Sequence, residues 1–129
     1  MASSAALTRI LVVDDDDTIR ETVAEALELD GFAVDTARNG AEALDVVRAR
    51  KPSGIILDLM MPVMTGWQFL ERCRDSQLCS GIPIVVMSAY SKLPDEAVTL
   101  GVKGCIAKPF DLDVLLGAVE RAVTRGAAS

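Results

Sequence analysis

The chain has 129 residues, half of them hydrophobic and a quarter charged, a composition typical of one globular domain rather than a disordered segment. A net charge of −6 without any run of lysine or arginine argues against direct contact with DNA or RNA, which needs a basic surface. The lack of histidine excludes Ser-His-Asp and Cys-His catalysis and the common zinc sites.

The cysteines and the apolar runs indicate the compartment. Cys73, Cys79 and Cys105 show no CxxC spacing, so we predict small buried side chains that stay reduced. No apolar run approaches the roughly 20 residues of a membrane span, and the first eight residues do not resemble a secretory signal. We therefore expect a cytoplasmic protein that is not inserted in a membrane.

Strand-like and helix-like segments alternate along the chain. Short apolar runs predict five strands, at residues 10–13, 32–37, 54–59, 82–88 and 104–107. Helical spacing of apolar side chains predicts helices at about residues 18–30, 41–50, 67–76 and 94–100, and from about residue 111 onwards. Five such units predict an α/β fold with three layers, in which helices cover both faces of a doubly wound parallel sheet. Small sheets of this kind have the strand order 2-1-3-4-5.

Aspartates follow two of the predicted strands. The first strand runs into Asp14 and Asp15, and the third ends at Asp58. Strands one and three flank the switch point of such a sheet, so these carboxylates should meet at one edge, where ligands bind. Carboxylates gathered there repel one another unless a cation lies between them, which predicts a magnesium-type site. Asp16 and Asp17 are interpreted as acids that favour the positive N-terminus of the first helix.

Two further polar residues end predicted strands at the same edge. Ser88 ends the fourth strand, and Lys108, which precedes Pro109, ends the fifth. Each alone is weak evidence, because serines often close strands and most lysines are merely solvated. Together with Asp58 they supply what phosphoryl chemistry requires: a carboxylate nucleophile, an ammonium group that neutralises phosphoryl oxygens beside Mg²⁺, and a hydroxyl donor.

The chain resembles a response-regulator receiver domain (CheY-like) of two-component signalling in four segments: ILVVDDDDTIR, IILDLMMPVMTGWQFL, IPIVVMSAY and GCIAKPFDLD. The resemblance implies a flavodoxin-like receiver fold in which Asp58 accepts a phosphoryl group from a histidine kinase or a histidine phosphotransfer protein. It also implies Mg²⁺ held by Asp15, Asp58 and the Met60 carbonyl, with Asp14 contributing directly or through water.

The same resemblance implies a signalling role. Ser88 would act as the switch residue and Lys108 as the lysine of the site, so that phosphorylation shifts a surface read by a downstream protein or a separate output domain. The chain would then be no enzyme toward other substrates and would catalyse only its own phosphorylation and dephosphorylation. We expect the receiver at residues 8–125 with tails at 1–7 and 126–129. A stand-alone regulator, a receiver cut from a longer protein, and a phosphorylation-dependent homodimer all stay open.

Departures from the family pattern lead to two expectations. Cys105 stands where the family usually has a switching Tyr or Phe, and the stretch from Tyr90 to Gly101 is short and contains Pro94. We therefore expect output to depend more on the first helix, or on a partner fitted to an altered face. Met60 and Tyr90 stand at positions that influence attacking water in this family. Both are bulky and neither is a strong base, which predicts a long-lived phosphoryl group.

Other functions fit parts of the pattern. Asp14-x-Asp16-x-Thr18, with Ser88 and Lys108, resembles a haloacid-dehalogenase-type phosphatase with Asp14 as nucleophile. Three features argue against this phosphatase: the chain is short, no pair of acidic residues ends a later strand, and Asp58 would have no role. A receiver that only docks, without phosphorylation, is the third class. A flavodoxin-like FMN carrier is disfavoured because four aspartates replace the phosphate loop after strand one.

Overall fold

A computed structural model of the protein describes residues 8–61, 63–88 and 102–128, the last five as backbone only, and these residues form five strands and four helices. The elements are β1 (Arg9–Val13), α1 (Asp17–Leu29), β2 (Ala33–Ala37), α2 (Gly40–Ala49), β3 (Gly54–Asp58), α3 (Gly66–Ser76), β4 (Ile84–Ser88), β5 (Val102–Ala107) and α4 (Leu112–Ala128). The fourth predicted helix, at residues 94–100, lies outside the described residues. None of the described helices is long and apolar enough to cross a bilayer.

The strands form one parallel sheet in the order β2-β1-β3-β4-β5, which confirms the predicted order. β1 and β3 lie side by side in the middle, with Val13 opposite Leu57. The loops after these two strands therefore leave the sheet as neighbours. β3 and β4 are buried along their whole length, as apolar strands inside a parallel sheet should be.

Helices cover both faces of the sheet, which gives the predicted three layers. On one face α1 and α4 pack through buried side chains that include Val23, Leu27, Leu115 and Val119. On the other face α2 and α3 pack through Leu44, Val47, Phe69 and Leu70. The buried positions of α1 and α4 recur at helical spacing, the pattern that predicted them.

Helix and strand ends differ slightly from the prediction, for local reasons. Gly66 is the first residue of α3 and not the end of the preceding loop, because Thr65 and Gln68 form a capping box that starts the helix there. β4 begins at Ile84, two residues later than predicted, since Pro83 has no N–H to give to the sheet.

The prediction of three reduced cysteines is wrong for two of them. Cys73 and Cys79 form a disulfide, and their Cα atoms lie 5.2 Å apart. After α3 ends, Gln77 takes a left-handed conformation that turns the chain back toward the helix. This turn brings together two cysteines whose sequence spacing carries no familiar motif. Cys105 is outside this pair and is half-buried in β5.

Candidate functional site

Three aspartates meet at the carboxyl edge of the two central strands. Asp58 is the last residue of β3, and Asp14 and Asp15 directly follow β1. Each offers a carboxylate oxygen within 4.8 Å of those offered by the others. Asp14 and Asp58 are buried, whereas Asp15 is exposed, so the cluster faces solvent on the Asp15 side. The structure thus brings together the three carboxylates that the sequence assigned to a metal site.

The loop after β1 is held by hydrogen bonds. The Asp14 N–H donates to the carbonyl oxygen of Ala37 at 3.1 Å. The Asp16 N–H donates to Oδ1 of Asp14 at 2.9 Å, and the Asp16 carboxylate caps α1 by accepting from the N–H of Ile19 at 3.0 Å. Asp17 lies in the first turn of α1, as its interpretation as a helix-terminal acid requires.

The loop after β3 is held by close backbone contact. The Met60 N–H donates to Oδ1 of Asp58 at 3.1 Å, and the Gly66 N–H donates to the carbonyl oxygen of Leu59 at 3.0 Å. A Cβ atom on Gly66 would lie 2.6 Å from the Asp58 carbonyl oxygen, closer than real Cβ contacts allow. Only glycine lets α3 begin this close to Asp58. The sequence analysis missed this contact, although a glycine directly after a threonine cap was a visible signal.

Lys108 reaches into the cluster from the end of β5. Its Nζ atom lies 3.2 Å from Oδ2 of Asp14 and 3.4 Å from Oδ2 of Asp58. The backbone N–H of Lys108 donates to the carbonyl oxygen of Ser88 at 2.8 Å, and the peptide bond between Lys108 and Pro109 is cis. One ammonium group therefore bridges two buried carboxylates that would otherwise repel each other.

The charges at the site shift one another's protonation. Burial and, less strongly, the Asp14 carboxylate raise the pKa of Asp58 to about 6, although the Met60 N–H and Lys108 oppose this rise. Burial by itself lowers the pKa of Lys108, but the carboxylates of Asp14 and Asp58 outweigh it, and the pKa ends above its ordinary value. At neutral pH Asp58 is thus a carboxylate and Lys108 an ammonium ion.

The other residues that the sequence assigned to the site differ in how far they are buried. Ser88 is the buried last residue of β4, one position beyond Met87, which pairs with Asp58 in the sheet. The side chain of Met60 is exposed, while its backbone lies against Asp58. Cys105 packs against the cluster under α2 and α3, and burial raises the pKa of its thiol. Tyr90 lies outside the described residues.

One buried residue near the site was missed by the sequence analysis. Four polar side chains are buried in the described part of the chain: Asp14, Asp58, Ser88 and Arg20. Arg20 lies in α1 and donates from one guanidinium nitrogen to the carbonyl oxygen of Asp14 at 2.9 Å. Its position on the face that carries Val23 and Leu27 was the available signal, because an arginine among inward-facing apolar residues needs a partner.

Comparison with known proteins gives the same protein family as the four sequence segments that resemble a receiver domain. Residues 10–120 match the family model of the response regulator receiver domain. The chain is 36% identical over 120 residues to response regulator MprA of Mycobacterium sp. strain KMS, covering 91% of this chain and 51% of MprA. The chain spans about half the length of the curated relatives it matches.

Solved structures agree with the family match. Chemotaxis response regulator CheY4 of Vibrio cholerae superposes with a TM-score of 0.85 at 32% identity, covering 91% of this chain and 99% of CheY4. Response regulator TrrA of Thermotoga maritima, solved in complex with Mg²⁺ and BeF, gives a TM-score of 0.78 at 32% identity, covering 90% and 99%. The chain belongs to the response regulator receiver domain family of two-component signalling proteins.

Proposed function

We propose that this chain is a phosphoacceptor module in which Asp58 takes a phosphoryl group from a phosphohistidine donor in a Mg²⁺-dependent step. The observation that carries the proposal is the position of Asp58: a buried carboxylate at the end of β3, with Lys108 Nζ at 3.4 Å and two further carboxylates beside it. A histidine kinase or a histidine phosphotransfer protein would be the donor, since this chain has no histidine of its own.

The chemistry follows from the charges on these side chains. An Asp58 carboxylate oxygen forms a bond to phosphorus while the phosphorus–nitrogen bond of the donor breaks, and the bonding electrons return to the imidazole. Lys108 neutralises negative charge on the phosphoryl oxygens, and the Ser88 hydroxyl, one residue past the strand position that pairs with Asp58, donates a hydrogen bond to one of them. Subsequent attack by water would release phosphate and regenerate the carboxylate.

The acidic cluster fits a hard divalent cation. Its donors are carboxylate oxygens, the ligands that Mg²⁺ prefers, and two of the three carboxylates are buried where their repulsion needs a counter-charge. Asp14, Asp15, Asp58 and the Met60 carbonyl would hold the ion. Bound there, Mg²⁺ would supply charge neutralisation for the transferring group. The complex of TrrA with Mg²⁺ and BeF supports this choice of cation.

The proposal is tested by intact-mass spectrometry after incubation with Mg²⁺ and either acetyl phosphate or phosphoramidate. We expect one added phosphoryl group in the wild type and in Asp45→Asn, an exposed aspartate on α2 that serves as the matched control. We expect none in Asp58→Asn, and none in the wild type when Mg²⁺ is chelated. A phosphoryl group that persists in Asp58→Asn would contradict the proposal.

The same variants distinguish the alternatives. A phosphatase with Asp14 as nucleophile would turn over a phosphate ester, and Asp14→Asn would abolish this activity while Asp58→Asn would not. A receiver used only for docking would take up no phosphoryl group. We infer that the chain modifies only itself and is no enzyme toward other substrates.

Output and location belong to the same proposal. Phosphorylation would draw Ser88 toward Asp58 and shift the surface that a downstream protein or an output domain binds. We propose that the protein works in the cytoplasm. Because Cys105 cannot report the switch by ring rotation, we propose that output depends more on α1, or on a partner fitted to the altered face. An interface scan that places ordinary binding on β5 and residues 90–101, and not on α1, would contradict this.

The phosphoryl group on Asp58 should be long-lived. The residue two positions after Asp58 is Met60, whose side chain is exposed and carries no base to activate water. We expect the added mass to persist for minutes or longer after the phosphodonor is removed. Loss within seconds would contradict this expectation.

A further inference from the structure

Arg20 is bonded to the peptide group that joins two of the candidate metal ligands. It is the only positively charged side chain among the buried residues of the described ranges. One guanidinium nitrogen donates to the Asp14 carbonyl oxygen at 2.9 Å, and the other forms an ion pair with Asp17. An arginine is taken out of water here and its charge is matched, which indicates a specific role.

The Asp14 carbonyl belongs to the planar peptide unit that ends at the Cα atom of Asp15. A hydrogen bond to that oxygen fixes the rotation of the plane and, through it, the direction in which Asp15 leaves the strand. The Asp14 side chain has its own partners in the Asp16 N–H and Lys108. Asp15 is exposed, so the orientation of the Asp14–Asp15 peptide decides where its carboxylate stands relative to Asp58.

We propose that Arg20 is a positioning residue for the divalent-cation site: by holding the Asp14 carbonyl it sets the Asp15 carboxylate against Asp14 and Asp58. The inference rests on the proposed function, because it concerns the same acidic cluster. The ion pair with Asp17 is part of the arrangement, because the Asp17 carboxylate neutralises the Arg20 charge, which would otherwise repel a cation bound nearby.

The test measures Mg²⁺ binding and not phosphorylation. Arg20→Met removes the donor and keeps the length and apolar character of the stem. The matched control is Arg48→Met, an exposed arginine on α2 that also pairs with an aspartate three residues away. The Mg²⁺ dissociation constant is read from Trp67 fluorescence and, independently, from the Mg²⁺-dependent increase in the free energy of unfolding.

We expect Arg20→Met to raise the Mg²⁺ dissociation constant about tenfold, the size of effect seen when the partner of a metal ligand is removed. This corresponds to a loss of about 1.4 kcal/mol of Mg²⁺-dependent stabilisation at saturation. Arg48→Met should leave the constant unchanged. Arg20→Lys keeps a charged donor but not the two-pronged guanidinium, and should recover part of the affinity.

A purely structural role predicts a different pattern. Arg20→Met would then lower the free energy of unfolding equally with and without Mg²⁺, its dissociation constant would equal that of the wild type, and the inference would be overturned. If Arg20→Met does not fold, Arg20→Gln replaces it: the shorter, hydrated amide does not reach the Asp14 carbonyl. Wild-type affinity in a folded Arg20→Gln would overturn the inference equally.

The outcome separates this inference from the proposed function. Phosphoryl uptake on Asp58 with unchanged Mg²⁺ affinity in Arg20→Met overturns the inference alone. A wild type that binds Mg²⁺, a weakened Arg20→Met and no phosphoryl uptake overturn the proposed function alone. A wild type that does not bind Mg²⁺ overturns both.

Discussion

The two loops that carry the acidic cluster share one bond, from an N–H to the carboxylate two residues earlier, but are otherwise fixed in different ways. The loop from β1 to α1 is short, and polar groups fix it: Arg20 holds the Asp14 carbonyl, and Asp16 caps the helix. The loop from β3 to α3 is longer, and close packing fixes its end, where Gly66 lies against the Asp58 backbone. The loops therefore differ in polar bonding by Arg20 and Asp16 on one side and in the absence of a side chain at Gly66 on the other.

This difference matters because the loops serve different needs. Asp15 is exposed, so polar bonds along its loop can orient it while it stays accessible to solvent. Asp58 is the proposed nucleophile, and the approach of α3 keeps its backbone in one place. We predict that substitutions in the loop after β3 affect folding most, whereas those around Arg20 affect cation binding most.

The largest effect is expected from Gly66→Ala. The new Cβ would meet backbone atoms of Asp58 and Leu59 at 2.6 and 2.7 Å, and backbone cannot rotate away as a side chain can. We expect the free energy of unfolding to fall by about 2 to 3 kcal/mol, measured by urea denaturation. Phosphoryl uptake should slow as well, because Asp58 would move.

Gly117→Ala is the matched control for that substitution. Gly117 lies in α4, where, among the described residues, a Cβ would meet only the end of the flexible Arg121 side chain, at 3.3 Å. Since alanine favours helix more than glycine, we expect a gain of up to about 1 kcal/mol. Equal destabilisation by both substitutions would argue against a special role for the contact at Asp58.

A second effect is expected from the raised pKa of Asp58. Between the unfolded value of 3.8 and about 6 the folded protein binds more protons at Asp58 than the unfolded chain does. The Asp58 contribution to the free energy of unfolding is therefore fully present below about pH 4 and is lost as the pH rises through about 6.

Asp58→Asn removes this dependence. Without divalent cations at about pH 7.5, the variant should be more stable than the wild type by about 2 kcal/mol, because it no longer buries a charge beside Asp14. Denaturation between about pH 4 and pH 8 checks the slope, with Asp45→Asn as the surface control. The interpretation fails if Asp58→Asn keeps the wild-type slope.

The smallest of these effects concerns strain in the loop after β3. Val63 is exposed and has a φ of 70°, a conformation that β-branched side chains rarely adopt. Asn accepts this conformation, so Val63→Asn should raise the free energy of unfolding by about 1 kcal/mol. Val63→Thr removes the apolar surface but keeps the β-branch, and should give no gain. A gain of equal size in Val63→Thr would point to exposed apolar surface as the cause.

Much of the fold was predictable from the sequence, because its signals are local. Short apolar runs predicted the five strands, and helical spacing of apolar side chains predicted the four described helices. The strand order of small doubly wound sheets then placed Asp14 beside Asp58. The convergence of Lys108 on both carboxylates followed from the same topology, since parallel strands end at one edge.

What was missed depends on contacts that only folding creates. The bond from Arg20 to a backbone carbonyl and the space that Gly66 leaves for Asp58 are set by how α1 and α3 pack. The pairing of Cys73 with Cys79 depends on the left-handed turn at Gln77, which no spacing rule announces. The packing of a helix determines the Arg20 bond and the Gly66 contact, and the sign of one φ angle determines the cysteine pair.

The central claim is that Asp58 is the acceptor, and locating the phosphoryl group tests it most directly. Borohydride reduces the acyl phosphate of aspartate to homoserine, so peptide mass mapping after treatment with acetyl phosphate and Mg²⁺ identifies the modified residue. We predict homoserine at Asp58 and aspartate unchanged at Asp14 and Asp15. Homoserine at Asp14 or Asp15, with Asp58 intact, would contradict the account.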